Sequence, residues 1–295
     1  MKKKTKNKIE FTAFLIFIKI FKSLPYAFVE KFLSNLFMTC GKIFKIRYDV
    51  AYENLKKVFP AKTDKELNNI IKEMYGGMGK TAAETYFGNN DKLLKKAEIQ
   101  GFENLEKALK QGRGVILATL HMGNWELAAI FLSRYTKTSA VLKKQRNRYF
   151  DEYMNKQREQ ENIELIDKKN ALRPIIKNLK ENNVVCILMD QNAGKNGIKT
   201  DFLGHPASTF VGTAKIAIKQ KCPIIPAVAY RDESGKNIFI LEQPIITDNI
   251  ENSPLAVKTL TELVSKRLEK YILQNPSQWF WVHKRWKGTQ KAKEI

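Results

Sequence analysis

The amino-acid sequence predicts an α/β protein: a central mixed sheet flanked by helices, preceded by an N-terminal helical membrane-anchoring segment. Three observations carry this prediction. From about residue 99 onward, short apolar runs alternate with stretches of helical spacing, the pattern of one sheet with helices on its faces. The run 115–120, bounded by Gly114 and His121, is short, continuous and apolar, as a strand buried on both faces must be. Ahead of both lies a lysine-rich start followed by an apolar run. The 295 residues are ample for a sizeable core, and no repeat, low-complexity tract or linker divides the chain after residue 99. A boundary near residue 45 therefore separates an anchor, 1–45, from the α/β unit, 46–295.

The anchor opens Met-Lys-Lys-Lys-Thr-Lys-Asn-Lys and continues into an apolar run over 9–21. It looks like a signal peptide, but no small-x-small cleavage site follows, and Lys22-Ser-Leu-Pro25 leads into a second amphipathic stretch, 26–37. An apolar helix of this length rises about 20 Å, short of the roughly 30 Å hydrocarbon core of a bilayer. The expectation is a segment lying in one leaflet with its lysines at anionic head groups, with a single span or a buried helix as alternatives. Residues 48–87 read as helical, with Thr63 and Glu66 forming a capping box. Beyond them, strands are expected at 115–120, 139–142, 164–166, 184–189, 224–230 and 238–242. Helices are expected at 103–110, 125–135, 149–161, 171–181 and 208–219.

Charge narrows the partners. Fifty-two basic residues against thirty acidic ones give a net charge of +22, which suits nucleic acid, an anionic membrane surface or an acidic ligand or protein. The three cysteines do not form a disulfide framework and fit a reducing compartment.

Chemistry gathers where the 115–120 strand ends. His121 stops the run, Met122-Gly-Asn124 makes a turn, and a helix begins at Trp125 with Asn124 as its cap and Glu126 in its first turn. An isolated histidine is most often a satisfied polar residue. This one stands just past a strand's carboxyl end, where α/β proteins place their ligands. Because five residues separate them, His121 and Glu126 meet only if His121 lies in the turn before the helix. A carboxylate beside the imidazole would fix its tautomer and raise its basicity, as a general base requires. A metal site is not expected: the three histidines lack ligand spacing, and no cofactor motif is present.

Three further groups stand out. The run Lys143-Lys144-Gln145-Arg146-Asn147-Arg148, with Arg158 downstream, follows a strand and opens a helix, an arrangement suited to phosphate but also to a solvated basic face. Asp190-Gln191 ends the 184–189 strand, the same position relative to its strand as His121. Trp279-Phe-Trp-Val-His283-Lys-Arg-Trp286 interleaves aromatics with cations, which suits a membrane interface or stacking on single-stranded nucleic acid. The apolar N-terminus favours the membrane over nucleic acid.

The sequence resembles the Kdo-dependent lauroyl and myristoyl acyltransferases of lipid A biosynthesis, a branch of the lysophospholipid acyltransferase superfamily. The resemblance rests on His121-Met-Gly-Asn-Trp-Glu126, then on Lys143-Lys-Gln-Arg-Asn147 with Arg158. It continues through Leu188-Met-Asp190-Gln191 with Asp201-Phe-Leu-Gly204-His-Pro206, and ends with Trp279 to Trp286. It covers about residues 49–287. Two positions depart from the family pattern: His205, where a basic residue is usual, and Lys144-Gln145, where an Arg-Pro pair is usual. The resemblance implies that 46–295 is an acyltransferase domain with a glycerolipid acyltransferase-like sheet. It also implies that His121 and Glu126 are catalytic and that Lys144, Asn147, Arg158, Asp190 and Gln191 contact substrate. It further implies acyl transfer from acyl carrier protein, or coenzyme A, to a hydroxyl of a phosphorylated glycolipid at the cytoplasmic face of a bacterial inner membrane. No Gly-x-Ser-x-Gly elbow or activated cysteine supports a covalent route. The residues alone leave open other lipid acceptors, or a basic membrane-binding protein without chemistry.

Overall fold

A computed structural model describes residues 3–293. Two long helices, α1 (Lys3–Phe21) and α2 (Tyr26–Phe44), lead into α3 (Tyr48–Val58), α4 (Asp64–Phe87) and α5 (Asn90–Lys96). The predicted capping box starts α4: Thr63 accepts from the Glu66 amide, and Glu66 reaches back to the Thr63 backbone. Then come β1 (Glu98–Gln100), α6 (Phe102–Leu109), β2 (Val115–Thr119), α7 (Trp125–Ser133), β3 (Thr138–Leu142), α8 (Arg148–Gln160), β4 (Ile163–Asp167), α9 (Leu172–Lys180) and β5 (Val184–Leu188). A hairpin of β6 (Ile198–Phe202) and β7 (His205–Thr209) precedes α10 (Gly212–Gln220), β8 (Ile224–Arg231), β9 (Asn237–Leu241) and α11 (Pro254–Gln274).

Seven strands form one mixed sheet in the order β1-β9-β8-β2-β5-β3-β4, in which only β8 and β9 run antiparallel. β2 is central, and its side chains alternate between two cores. Ile116, Ala118 and Leu120 join the larger core that also holds α10 and α11 residues, whereas Val115 and Leu117 join the one under α7. Helices cover both faces, so every apolar residue of the run is buried, as its unbroken hydrophobicity required.

Three expectations change on contact with the structure. The helix expected at 208–219 begins at Gly212, because Ser208 and Thr209 pair in the β6–β7 hairpin. The sequence pattern points to neither that hairpin nor α11. The 279–286 block is not a membrane-facing belt: Trp279, Trp281 and Arg285 are buried in the larger core, and Asn54 donates to the carbonyls of Trp281 and His283. Among the described residues, no helix is long and apolar enough to cross a membrane, so the single-span alternative falls.

The N-terminal helices pack instead on the rest of the chain. α2 lies tightly along α4: a Cβ on Gly79 would stand 2.4 Å from the Leu33 carbonyl oxygen, so only glycine permits the approach. α1 lays Phe11 and Phe14 against Tyr149, Phe150 and Tyr153 of α8, with Tyr86 of α4 also touching Phe14. Its other side stays apolar and exposed at Ile9, Ile16 and Ile20, each more than half exposed, and α2 adds Phe28 and Phe32.

Candidate active site

The register of the sheet builds the site. β2 and β5 are parallel neighbours with Thr119 opposite Leu188, so His121 and Asp190, each two residues further on, leave the sheet side by side. The imidazole Nδ1 stands 2.8 Å from one Asp190 oxygen, and the His121 amide donates to the other at 2.9 Å. Trp279 completes the holder by donating its indole N–H to that second oxygen at 2.8 Å. Asp190 is 2 % exposed. Burial alone would push its carboxyl up, but the His121 charge and the three donors outweigh this and hold it down at about 2. For His121, burial disfavours the charged ring, but the charge and hydrogen bond of Asp190, with a smaller pull from Glu126, raise its pKa above the ordinary value against an opposing Lys168. A carboxylate at Nδ1 makes that nitrogen the protonated one and leaves Nε2 as the base. The Gln191 amide nitrogen lies 3.4 Å from Nε2.

Glu126 does not orient the imidazole. It lies in the first turn of α7 as expected, but its carboxylate is taken by Arg158, with Nε at 2.9 Å and Nη2 at 2.7 Å. The fork of a guanidinium satisfies both carboxylate oxygens at once, a geometry the imidazole cannot match. Arg158 is therefore not a free phosphate cation; Glu126 outweighs burial and raises its pKa. Lys144 is largely exposed and pairs with Asp167 at the end of β4. Asn147 caps α8 by accepting from the Tyr149 amide, and donates to the Asn7 carbonyl of α1. The structure thus gathers His121, Glu126, Arg158, Asp190 and Gln191 at the strand ends and gives Lys144 and Asn147 local structural partners.

Two cavities meet at Trp125 and Glu126. One, about 70 Å³, is almost wholly apolar and runs beneath α7, lined by Leu117, Ala128, Phe131, Ala140, Cys186 and Phe239 with Arg158. The other, about 240 Å³, lies between α4 and the His121 turn, lined by Met78, Tyr86, His121, Met154, Arg231 and Phe280. Sequence reading missed Trp279 as the third hand on Asp190, and it missed a buried cluster behind the turn. There, Glu84 of α4 receives Asn124, Asn237 and Arg231. The only advance signal was a glutamate set between Ala83 and the aromatics that follow it in a helix.

The sequence matches the family described as bacterial lipid A biosynthesis acyltransferase over residues 2–288. Its relatives include the lipid A biosynthesis palmitoleoyltransferase of Escherichia coli (strain K12), 26% identical over 82% of this chain and 79% of the relative. The lipid A biosynthesis lauroyltransferase of the same organism is 24% identical over 90% and 87%. The phosphatidylinositol mannoside acyltransferase of Mycobacterium tuberculosis (strain ATCC 25618 / H37Rv) is 24% identical over 79% and 75%. A solved structure, the 1-acyl-sn-glycerophosphate acyltransferase PlsC from Thermotoga maritima, aligns with a TM-score of 0.42 at 14% identity, over 87% of this chain and 100% of that one. That likeness is in outline only, whereas the family match runs nearly from end to end: the chain belongs to the bacterial lipid A biosynthesis acyltransferase family and is an O-acyltransferase.

Proposed function

We propose that the protein transfers a fatty acyl chain from a thioester, on acyl carrier protein or coenzyme A, to a hydroxyl of a lipid A precursor. The observation that carries this reading is the His121 ring, pinned at Nδ1 by buried Asp190 and lining a cavity that opens on a second, apolar one. Nε2 takes the acceptor's hydroxyl proton as the oxygen attacks the thioester carbonyl. The tetrahedral intermediate then collapses, the C–S bond breaks, and the leaving thiolate recovers the proton from the imidazolium. Asp190 holds the tautomer and stabilises the imidazolium, and Glu126 with Arg158 forms the wall where the two cavities join. The cavity beneath α7 suits the acyl tail and the larger one suits the acceptor. Cys186 lines the apolar cavity, but burial pushes its thiol up to about 12, which speaks against a covalent acyl-cysteine.

The exposed apolar stripe on α1 and α2 supports docking at the cytoplasmic face of a bacterial inner membrane, with Lys19, Lys22 and Lys31 exposed along it for anionic head groups. The net charge of +22 suits an acidic carrier protein.

Mass spectrometry of total lipids from the source bacterium, with and without this gene, tests the acceptor. The expected result is lipid A lacking one secondary acyl chain. Because one relative is named for phosphatidylinositol mannoside, an unchanged lipid A with an altered second glycolipid would move the acceptor there. Purified His121→Ala should lose on the order of 10²–10⁴ in rate; wild-type turnover would reject the base.

A further inference from the structure

The turn that carries His121 is gripped from two sides. On one side, Met122 bridges Trp279, the Phe280 amide donates to the His121 carbonyl at 3.2 Å, and the Gly123 amide donates to the Gln278 carbonyl at 3.2 Å. On the other stands α4. The Thr81 hydroxyl donates to the Gly123 carbonyl at 3.0 Å, and the Asn124 amide donates to Glu84 at 2.7 Å while its oxygen caps α7 through Leu127. Gly123 itself sits at φ +55 against β8, where a Cβ would stand 2.5 Å from the Ala229 carbonyl oxygen.

Glu84 and Arg231 join the two grips. Glu84 is 4 % exposed and accepts from Asn124, from Asn237 at 2.8 Å and from the Arg231 guanidinium. Arg231 Nη2 also donates to Thr81, and its backbone exchanges two hydrogen bonds with the Gln278 side chain, at 2.7 and 2.6 Å. A buried ion pair is a poor way to gain stability compared with apolar packing. It is a good way to fix geometry, because every donor has one place to go.

We propose that Glu84 is a positioning residue for acyl transfer: through Asn124, and through Arg231 and Thr81 to Gly123, it holds the 121–124 turn so that His121 stays over Asp190. This inference rests on the catalytic reading above, since it assigns the turn its role. Glu84→Gln strands a buried guanidinium and risks misfolding, so smaller cuts carry the test. Asn124→Ser keeps a cap for α7 and deletes the bond to Glu84; Thr81→Val deletes the bond to Gly123, and Thr81→Ser restores it. Val264→Ala, at a fully buried position of α11, supplies a loss of stability far from the turn.

Two readouts on the full-length protein decide. Backbone hydrogen exchange over residues 119–127 should rise about tenfold or more in Asn124→Ser and Thr81→Val and stay at the wild-type level in Thr81→Ser and Val264→Ala. With a dodecanoyl thioester and a lipid A precursor, kcat should fall about 10–100-fold in the first two variants, with both KM values within about twofold of wild type. Thr81→Ser should recover the rate. Unchanged exchange in Asn124→Ser and Thr81→Val overturns the proposal, as does raised exchange with an unchanged kcat. If His121→Ala is inactive while exchange stays flat, only the positioning role fails. If exchange rises but His121→Ala turns over normally, the catalytic reading fails with it.

Discussion

On the proposed mechanism His121 acts as a base only while its Nε2 is unprotonated, so its raised pKa should place the acid limb of kcat/KM above the ordinary imidazole value of about 6.5. Asp190→Asn removes the carboxylate that does most to raise it, and should move that limb to lower pH while kcat falls on the order of 10²–10⁴. Glu126→Gln should move it less, since its carboxylate is engaged by Arg158. A limb that stays put in Asp190→Asn would deny the pairing its electrostatic role. His283 is the opposite case. Burial depresses its pKa to about 4, and its Nε2 accepts from the Asn192 amide, a bond only the neutral ring can make. Between about pH 6.5 and 4 the unfolded chain binds a proton there that the folded one refuses, so this group erodes stability as pH falls. His283→Gln should flatten the acid side of the stability curve by on the order of 2 kcal/mol, seen as denaturation midpoints at pH 7 and 4.5.

The last block of the chain shows how local composition misleads about an element. Aromatics interleaved with cations look interfacial, yet Trp281 is fully buried against Phe59 and Trp279. Trp281→Ala should therefore cost about 3–5 kcal/mol of stability, and leave membrane partitioning of the surviving folded protein unchanged. Loss of binding without loss of melting temperature would restore the interfacial reading. α7 and α8 offer a second check, because Glu126 and Arg158 form a half-buried, doubly bonded pair. Removing either strands the other, so the effects of Glu126→Ala and Arg158→Ala on kcat/KM should be strongly non-additive, with a coupling of about 1 kcal/mol or more in a double-mutant cycle. Additive losses would argue for separate substrate contacts.

At the scale of the whole molecule, one face carries an exposed apolar stripe. α1 and α2 bury one side on α4 and α8 and expose Ile9, Ile16, Ile20, Phe28 and Phe32 on the other. Deleting residues 1–45 would strip α4 of its packing partner, so aggregation is the expected outcome and says little about anchoring. Ile16→Ser with Ile20→Ser and Phe28→Ser, all at exposed positions, should instead lower cosedimentation with anionic vesicles several-fold while the melting temperature holds. Full retention on vesicles would place the docking surface elsewhere.

The sequence by itself determined the α/β class, the central strand 115–120, the capping box at Thr63 and the position of His121 in a strand-to-helix turn. Each of these depends on near neighbours in the chain: an apolar run, a turn triplet, a cap three residues from its partner. It also marked Asp190, by the same strand-end position. Only the folded chain decided that Asp190 rather than Glu126 holds the imidazole, because that depends on β2 and β5 being neighbours in register, 69 residues apart in sequence. The capture of Glu126 by Arg158, the burial of the 279–286 block and the Glu84 cluster have the same origin. They are competitions between distant groups for one partner, won by geometry that appears only when the sheet order is set and the helices close over it.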